Sequence, residues 1–511
     1  MDDKTLAKHA GKTAFGTICS RILGYIRDML VANLFGVGMF ADTFYAAFRI
    51  PNLFRRMFGE GSFSAAFIPV FSQYLYTKDK NETQKFLNAI FTVLLLILII
   101  LSVVGICFSP ILTKMVAWGF SDNPEKMQMT TELTRLMFPF ILFICLAAFL
   151  LAILNTLRSF FIPALAPASL SVSEVFYILS IAPLISPESQ IKGLALSVIL
   201  GSALHFFVQY PKLKSLGWHL KFKIDLHHPG IKKVAFLMIP SLLGLSVDQI
   251  NAFVDNICAS FLGDGPVSAL YYSNRLMQMP LAVFGLAFAT ASLPAMSKAY
   301  AKKDIITLKN SLNYSIRFTI FTLMPAAVGL MVIGLPIVKL LFEHGKFNAL
   351  GSIMTNEALF FYSLGLPAYA ISKIFANTFY SFQDTKTPVK TAIFVMIVHV
   401  FLCVVLMKPM GVSGLALSTA VSSYFNFIVL AGYLKKHIGN IEVKLIIVST
   451  LKSFIASIFT GVAAWYACKI STSLFLSVPF AILSSCIVFV IVSYILKSKE
   501  LKSFFNVLSK K

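Results

Sequence analysis

About fourteen apolar runs, each long enough to cross a bilayer as a helix, fill most of this 511-residue chain, and nothing else restricts its fold as severely. Backbone N–H and C=O groups find no water in hydrocarbon, so a lone segment there satisfies them internally as a helix. The runs lie near 13–35, 40–75, 86–108, 132–155, 163–185, 191–210, 234–262, 266–296, 312–335, 355–380, 387–407, 411–434, 446–468 and 472–496. The second and eighth are long and contain proline and charge, which predicts bends. Composition agrees: 57% of residues are hydrophobic and 13% charged, where a soluble domain carries about a quarter charged. The expected fold is all-α, a polytopic membrane protein.

Lys and Arg outnumber Asp and Glu by 44 to 22. In a soluble chain such an excess points to nucleic acid, but here the cations alternate between connections. Lys78, Lys80 and Lys85 fall in one; Lys212, Lys214, Lys221, Lys223, Lys232 and Lys233 in another; Lys298, Lys302, Lys303 and Lys309 in a third. Lys435, Lys436 and Lys444 follow, and then the tail with Lys497, Lys499, Lys502, Lys510 and Lys511. Roughly 27 cations fall on one side and about 7 on the other, the positive-inside pattern. Both termini are therefore expected in the cytoplasm with an even number of spans, and nucleic acid is not implied as a partner. Arg21, Arg27 and Asp28 interrupt the first apolar run, so it does not read as a cleavable signal. The cysteines (Cys19, Cys107, Cys145, Cys258, Cys403, Cys468 and Cys486) lie in apolar runs without metal-type spacing and read as small hydrophobes.

The chain is written twice. Gly193-Leu194-Ala195-Leu196-Ser197 returns as Gly414-Leu415-Ala416-Leu417-Ser418, and Asn155-Thr156 with Ser159-Phe160 returns as Asn377-Thr378 with Ser381-Phe382. Asp28, Ala32, Gly36, Gly38 and Tyr45 match Asp255, Ala259, Gly263, Gly265 and Tyr272. The paired glycines read as duplicated short turns between helices. One offset of roughly 220–227 residues carries six helices onto six in the same orientation, the parallel repeat of transporters whose path lies between two halves. The expected organisation is a lobe at 1–225 (spans 1–6), a second at 226–440 (spans 7–12), and two extra helices at 441–511.

Five arginines fall on the first two runs: Arg21, Arg27, Arg49, Arg55 and Arg56, with Asp28, Asp42 and Glu60 nearby. An arginine at mid-membrane costs about 2.5–3.5 kcal/mol on insertion scales, so a cluster must meet water, partners or an anion. Internal pairing is one alternative: Arg56 and Glu60 are four apart, and Arg21 shares a helix face with Asp28. Spacing assigns no such acid to Arg27, Arg49 or Arg55, nor to Arg275 in Tyr271-Tyr272-Ser273-Asn274-Arg275. Guanidinium stays charged and grips phosphate oxygens as a planar fork, which points to a phosphate or diphosphate head group and away from cationic cargo.

Ser20-Arg21-Ile22-Leu23-Gly24-Tyr25-Ile26-Arg27-Asp28, Ala41-Asp42, Pro51-Asn52-Leu53-Phe54-Arg55-Arg56-Met57-Phe58 and Glu60-Gly61-Ser62-Phe63-Ser64 resemble the signature of the MurJ (MviN) family. These are lipid II flippases of the multidrug/oligosaccharidyl-lipid/polysaccharide exporter superfamily. Tyr272-Ser273-Asn274-Arg275-Leu276-Met277 and Asp384-Thr385-Lys386-Thr387-Pro388 extend the likeness into the second lobe. The resemblance implies transfer of the lipid-linked disaccharide-pentapeptide precursor of peptidoglycan from the cytoplasmic to the outer leaflet by alternating access. It places the cavity arginines on Arg21, Arg27, Arg55 and Arg275 with Asp28 beside them, and leaves Asp42, Arg49, Arg56 and Glu60 as supporting candidates. Helical spacing groups Arg49 with Arg56, whereas the motif favours Arg55. The helices at 446–468 and 472–496 resemble the pair that grooves the polyprenyl tail.

Some members of that family share a sodium site, whose positions fall here on Asp255, His399, Cys403, the Leu415 carbonyl and Thr419. Asp255 and Thr419 fit; His399 and Cys403 stand where Asn and Asp are expected, and hard sodium prefers oxygen. No firm metal site is expected. Coupling to sodium, to protons or to the membrane potential alone stays open. A membrane enzyme acting on lipid diphosphates needs clustered carboxylates for Mg²⁺ or a nucleophile–base pair; no such motif occurs, and His227-His228 reads as solvated surface. An exporter of another polyprenyl-diphosphate-linked oligosaccharide is the alternative within transport. The expected setting is the bacterial cytoplasmic (inner) membrane, with lipid II as substrate, membrane lipids and the cell-wall synthesis machinery as neighbours, a monomeric chain and no cofactor.

Overall fold

The computed structural model describes residues 3–56, 62–439 and 441–509, and every regular element among them is helical. The chain divides into two compact units, Met1–Phe261 and Leu262–Lys511. The first holds α1 (Asp3–Phe35), α2 (Met39–Phe54), α3 (Ser62–Thr77), α4 (Lys80–Cys107), α5 (Ser109–Val116), α6 (Pro124–Met137), α7 (Phe140–Thr156), α8 (Phe161–Leu165), α9 (Ala168–Phe176), α10 (Pro187–Ser215) and α11 (Pro229–Ser260). The second holds α12 (Pro266–Pro280), α13 (Ala287–Ala301), α14 (Ile305–Phe342), α15 (Ala349–Ser381), α16 (Lys386–Ile438), α17 (Val443–Lys469), α18 (Leu474–Ile495) and α19 (Lys499–Ser509).

Nine helical stretches among the described residues are long and apolar enough to cross a membrane, so the chain is an all-α, polytopic membrane protein. Length and hydropathy pass over α1, whose apolar part contains Arg21, Arg27 and Asp28. They count α16 once, although 53 residues at about 1.5 Å each far exceed a hydrocarbon core of about 30 Å. Its helix is broken at Gly411, where φ is 57°, between the runs expected at 387–407 and 411–434.

Both expected bends have a physical cause. The second run divides into α2 and α3, with residues 57–61, including the candidate Glu60, outside the described residues. The eighth leaves α geometry at Leu281–Leu286, a π-helical turn directly after Pro280, where a missing N–H interrupts the ladder. The duplicated glycines are turns: Gly36 (φ 68°), Gly263 (φ 88°) and Gly265 (φ 103°) adopt the left-handed backbone between short-coupled helices. Four other helices close with a polar left-handed residue. Arg158, Lys303, Gln383 and Lys497 have φ between 50° and 62°, and the next N–H reaches back five residues to the carbonyls of Leu154, Ala299, Phe379 and Ser493. After two of these ends an aspartate starts the next helix. Asp304 accepts from the N–H and hydroxyl of Thr307, and Asp384 does the same with Thr387, so the Asp384-Thr385-Lys386-Thr387 motif is a helix cap.

In the first unit the core is aromatic: Phe67 stacks on Phe71 and Phe86 and meets Phe149 edge-on at 5.2 Å. In the second, Ile374, Phe375 and Phe379 pack on Met296, Leu308 and Leu312. The C-terminal pair α17 and α18 lies on α14 through small residues: Ala464, Ala467 and Ala481 surround Ile333, and a Cβ at Gly461 would come within 2.8 Å of Val328. Close backbone approach of this kind is how helices associate where lipid removes any hydrophobic drive. The outer faces of α18 are apolar and exposed, as at Phe475, Leu483 and Ile487.

Candidate functional site

Arg27 extends from the last third of α1 and is met by two carboxylates. Its Nε and Nη2 donate to Asp28 Oδ1 at 3.0 and 2.7 Å, and its Nη1 to Glu174 Oε1 on α9 at 3.4 Å. The guanidinium side chain keeps 15% exposure, while both acids are buried. A buried ion is tolerable only with partners to replace its water, and α9 supplies the second one. The sequence-level expectation that Arg27 has no acid is therefore corrected: Asp28 bends back along its own helix, and Glu174 arrives 147 residues later. Among the described contacts the guanidinium meets carboxylates from two helices, α1 and α9.

The second-helix arginines separate in role. Arg49 donates through Nε (3.1 Å) and Nη2 to the Ala252 carbonyl, tying α2 to α11. Arg55 sits in the wide helical turn that follows α2 and is half-buried; its Nε donates to Asn52 Oδ1 at 2.8 Å. The Asn52-x-x-Arg55 part of the motif thus orients a guanidinium locally. Arg56 is half-buried, and Arg21 is exposed on α1. Arg275, half-buried on α12, belongs to the second unit. Next to it Tyr272 is fully buried against Phe342 and Phe347, which fixes this turn of α12.

Asp42 is engaged elsewhere. Its Oδ2 lies 3.0 Å from Lys126 Nζ, with side-chain exposures of 0% and 3%, and the ammonium also lies 4.1 Å from the Phe120 ring centre. Cation, carboxylate and aromatic face form a dry contact between α2 and the start of α6. Sequence reading missed both Lys126, which sits beside Glu125, and Glu174, the one charge in the apolar run 163–185; only folding brings their partners near.

Asp255 lies half-buried on α11 in the first unit. In the second, His399 and Cys403 are buried one turn apart on α16, with Cys403 Sγ 3.5 Å from His399 Nε2 and Ser422 Oγ 3.4 Å from His399 Nδ1. The Thr419 hydroxyl donates to the Leu415 carbonyl at 3.1 Å, so these two expected oxygen ligands bond each other within the helix. The Cys–His pair is a soft donor set.

Residues 31–485 match the family described as lipid II flippase MurJ. A "Lipid II flippase MurJ" of Burkholderia cenocepacia is 37% identical over 424 residues, 82% of each chain. A "Probable lipid II flippase MurJ" of Vibrio cholerae serotype O1 is 37% identical over 422 residues, covering 81% of this chain and 80% of that one. Among solved structures, "Lipid II flippase MurJ, inward closed conformation" superposes with a TM-score of 0.80 at 27% identity, over 94% of this chain and 98% of that one. An inward-facing multidrug resistance MATE family transporter of the MOP superfamily shares the fold, with a TM-score of 0.68 at 15% identity over 82% and 94% of the two chains.

Proposed function

Because the chain belongs to the MurJ lipid II flippase family, we propose that it carries the undecaprenyl-diphosphate-linked disaccharide-pentapeptide from the cytoplasmic to the outer leaflet of the inner membrane by alternating access. Its family is one of transporters, and no bond-making step is assigned to its residues. Arg21, Arg27, Arg55 and Arg275 hold the head group, and Asp28 sets the position of Arg27. The lobes 1–225 and 226–440 move against each other, the helices of 441–511 take the polyprenyl tail, and both termini stay in the cytoplasm. The chain works as a monomer beside the cell-wall synthesis enzymes.

One observation carries the reading of the arginines. Arg27 lies in an apolar helix and is paired with Asp28 and Glu174, with 15% of its side chain exposed. Arginine forks bind diphosphate oxygens in the same bidentate manner, so a diphosphate can exchange for a carboxylate at comparable geometry. The two acids then act as the resting occupants of the cation, which lets it persist at depth between substrates.

The test is complementation of a bacterium depleted of its own flippase. Arg55→Ala and Arg275→Ala, present in the membrane at parental level, should fail to restore growth, as should Arg27→Ala. Growth at the parental rate would remove the head-group role. Restored growth by the parent on a different lipid-linked oligosaccharide pathway, without peptidoglycan precursor transfer, would instead favour the other exporter.

A further inference from the structure

Three polar side chains recur every four residues along the first half of α4: Gln84, Asn88 and Thr92. They hold an extended segment that connects α10 to α11. The His219 N–H donates to Gln84 Oε1 at 3.2 Å and Gln84 Nε2 returns a bond to the His219 carbonyl. The Lys221 N–H donates to Asn88 Oδ1 at 3.0 Å, and the Lys223 N–H to Thr92 Oγ1 at 2.9 Å. Four helical residues rise about 6 Å and two extended residues about 6.6 Å, so helix rungs and strand amides stay in step. Gln84 Nε2 also donates to Asn88 Oδ1, linking the first two rungs. Both ends are pinned: Trp218 is buried edge-on to Phe71, and His228 Nδ1 accepts from the Gly230 N–H while its ring lies against Tyr74 and Phe86.

Side chains of an extended segment alternate between two faces. Phe222, Ile224 and Leu226 are 56%, 66% and 54% exposed, and Lys221 and Lys223, on either side of Phe222, are also exposed. Residues 212–233 contain six lysines (Lys212, Lys214, Lys221, Lys223, Lys232, Lys233) against one acid, Asp225. An apolar face set among lysines beside membrane-spanning helices matches the composition of surfaces that enter the acyl boundary and attract anionic head groups.

We propose that the strap 218–228 is a binding surface for anionic phospholipid: Phe222, Ile224 and Leu226 enter the leaflet, and the surrounding lysines hold lipid phosphates. A neutral lipid satisfies the apolar face alone; the lysine surplus selects the anionic one. The ladder of α4 gives these side chains one register, so that the site is built before lipid arrives. This surface is independent of the arginines that hold the transported head group.

The full chain in phosphatidylcholine nanodiscs provides the test. A Phe222→Trp variant is compared with its parent, and the added emission is measured with equal fractions of brominated phosphatidylcholine or brominated phosphatidylglycerol. Quenching should be several-fold stronger with the brominated phosphatidylglycerol, and Lys221→Gln and Lys223→Gln should each lower that preference by up to about fivefold. Asn88→Leu removes a rung without touching a lysine and should lower it too; an unchanged preference there would overturn the role of the ladder. Equal quenching by the two lipids would overturn anionic selection. Absence of quenching by either would overturn lipid contact altogether, and if shielding grew with protein concentration the strap would belong to contact with a second copy.

Discussion

Two charge clusters in the first unit solve the same problem differently. Lys126 and Asp42 pair at 3.0 Å with both side chains buried and the Phe120 ring against the ammonium. Arg27 meets carboxylates from α1 and α9, and its side chain stays 15% exposed. The enclosed contact joins helices, here α2 to α6. In the proposed cycle the partly exposed cluster exchanges partners, Asp28 and Glu174 giving way to an anion. Exposure separates the two clusters, and the head-group role proposed for Arg27 rests on that difference.

The sharpest way to break this contrast is to remove one partner of each cluster. Lys126→Met alone takes the cation from a buried carboxylate and should cost about 3–5 kcal/mol, read as lost folded protein in a detergent thermal melt. The double variant Lys126→Met/Asp42→Leu should recover most of that loss, because the burden is the unpaired charge. If the single and double variants melt alike, the pair is not a dry contact. Arg27→Ala mixes two effects, lost anion grip and stranded acids. Combined with Glu174→Gln it should regain thermal stability and still fail in complementation; recovery of transport would assign Arg27 to structure. Glu174→Gln alone removes one competitor and should raise affinity for a diphosphate head group several-fold, measured by binding of the lipid-linked precursor to purified protein.

Smaller effects sharpen the edges. Arg49→Lys loses the two-pronged hold on the Ala252 carbonyl and should cost about 1–2 kcal/mol without abolishing transport. At the surface, Thr307 holds the Asp304 carboxyl below its ordinary range through its hydroxyl and N–H. A depressed acid stabilises above its unfolded value of about 3.9 and loses that contribution as pH falls through the folded one. Asp304→Asn should therefore lower stability slightly at neutral pH and match the parent in acid, which flattens the profile between.

Much of the fold was legible because the bilayer demands simple local solutions. Apolar length marked the helices, Pro280 marked a bend, and the repeated glycines marked two turns. The arginines stood out because a charge in an apolar run has no local explanation. Their partners did not stand out: Glu174 and Lys126 lie 147 and 84 residues from Arg27 and Asp42, and no local spacing rule joins them. The cap role of Asp384 was hidden inside a family-like motif. The α4 ladder did leave a trace, three polar residues at intervals of four, but that pattern reads as one wet helix face until the strap is seen against it.

The central claim is that guanidinium groups held at depth carry the diphosphate across. Its most direct test is the fraction of lipid-linked precursor reachable from outside cells that depend on this chain for transfer. With Arg55→Ala or Arg275→Ala at parental abundance in the membrane, the precursor should stay intact on the cytoplasmic leaflet. Precursor reaching the outer face at the parental level in those cells would contradict the claim.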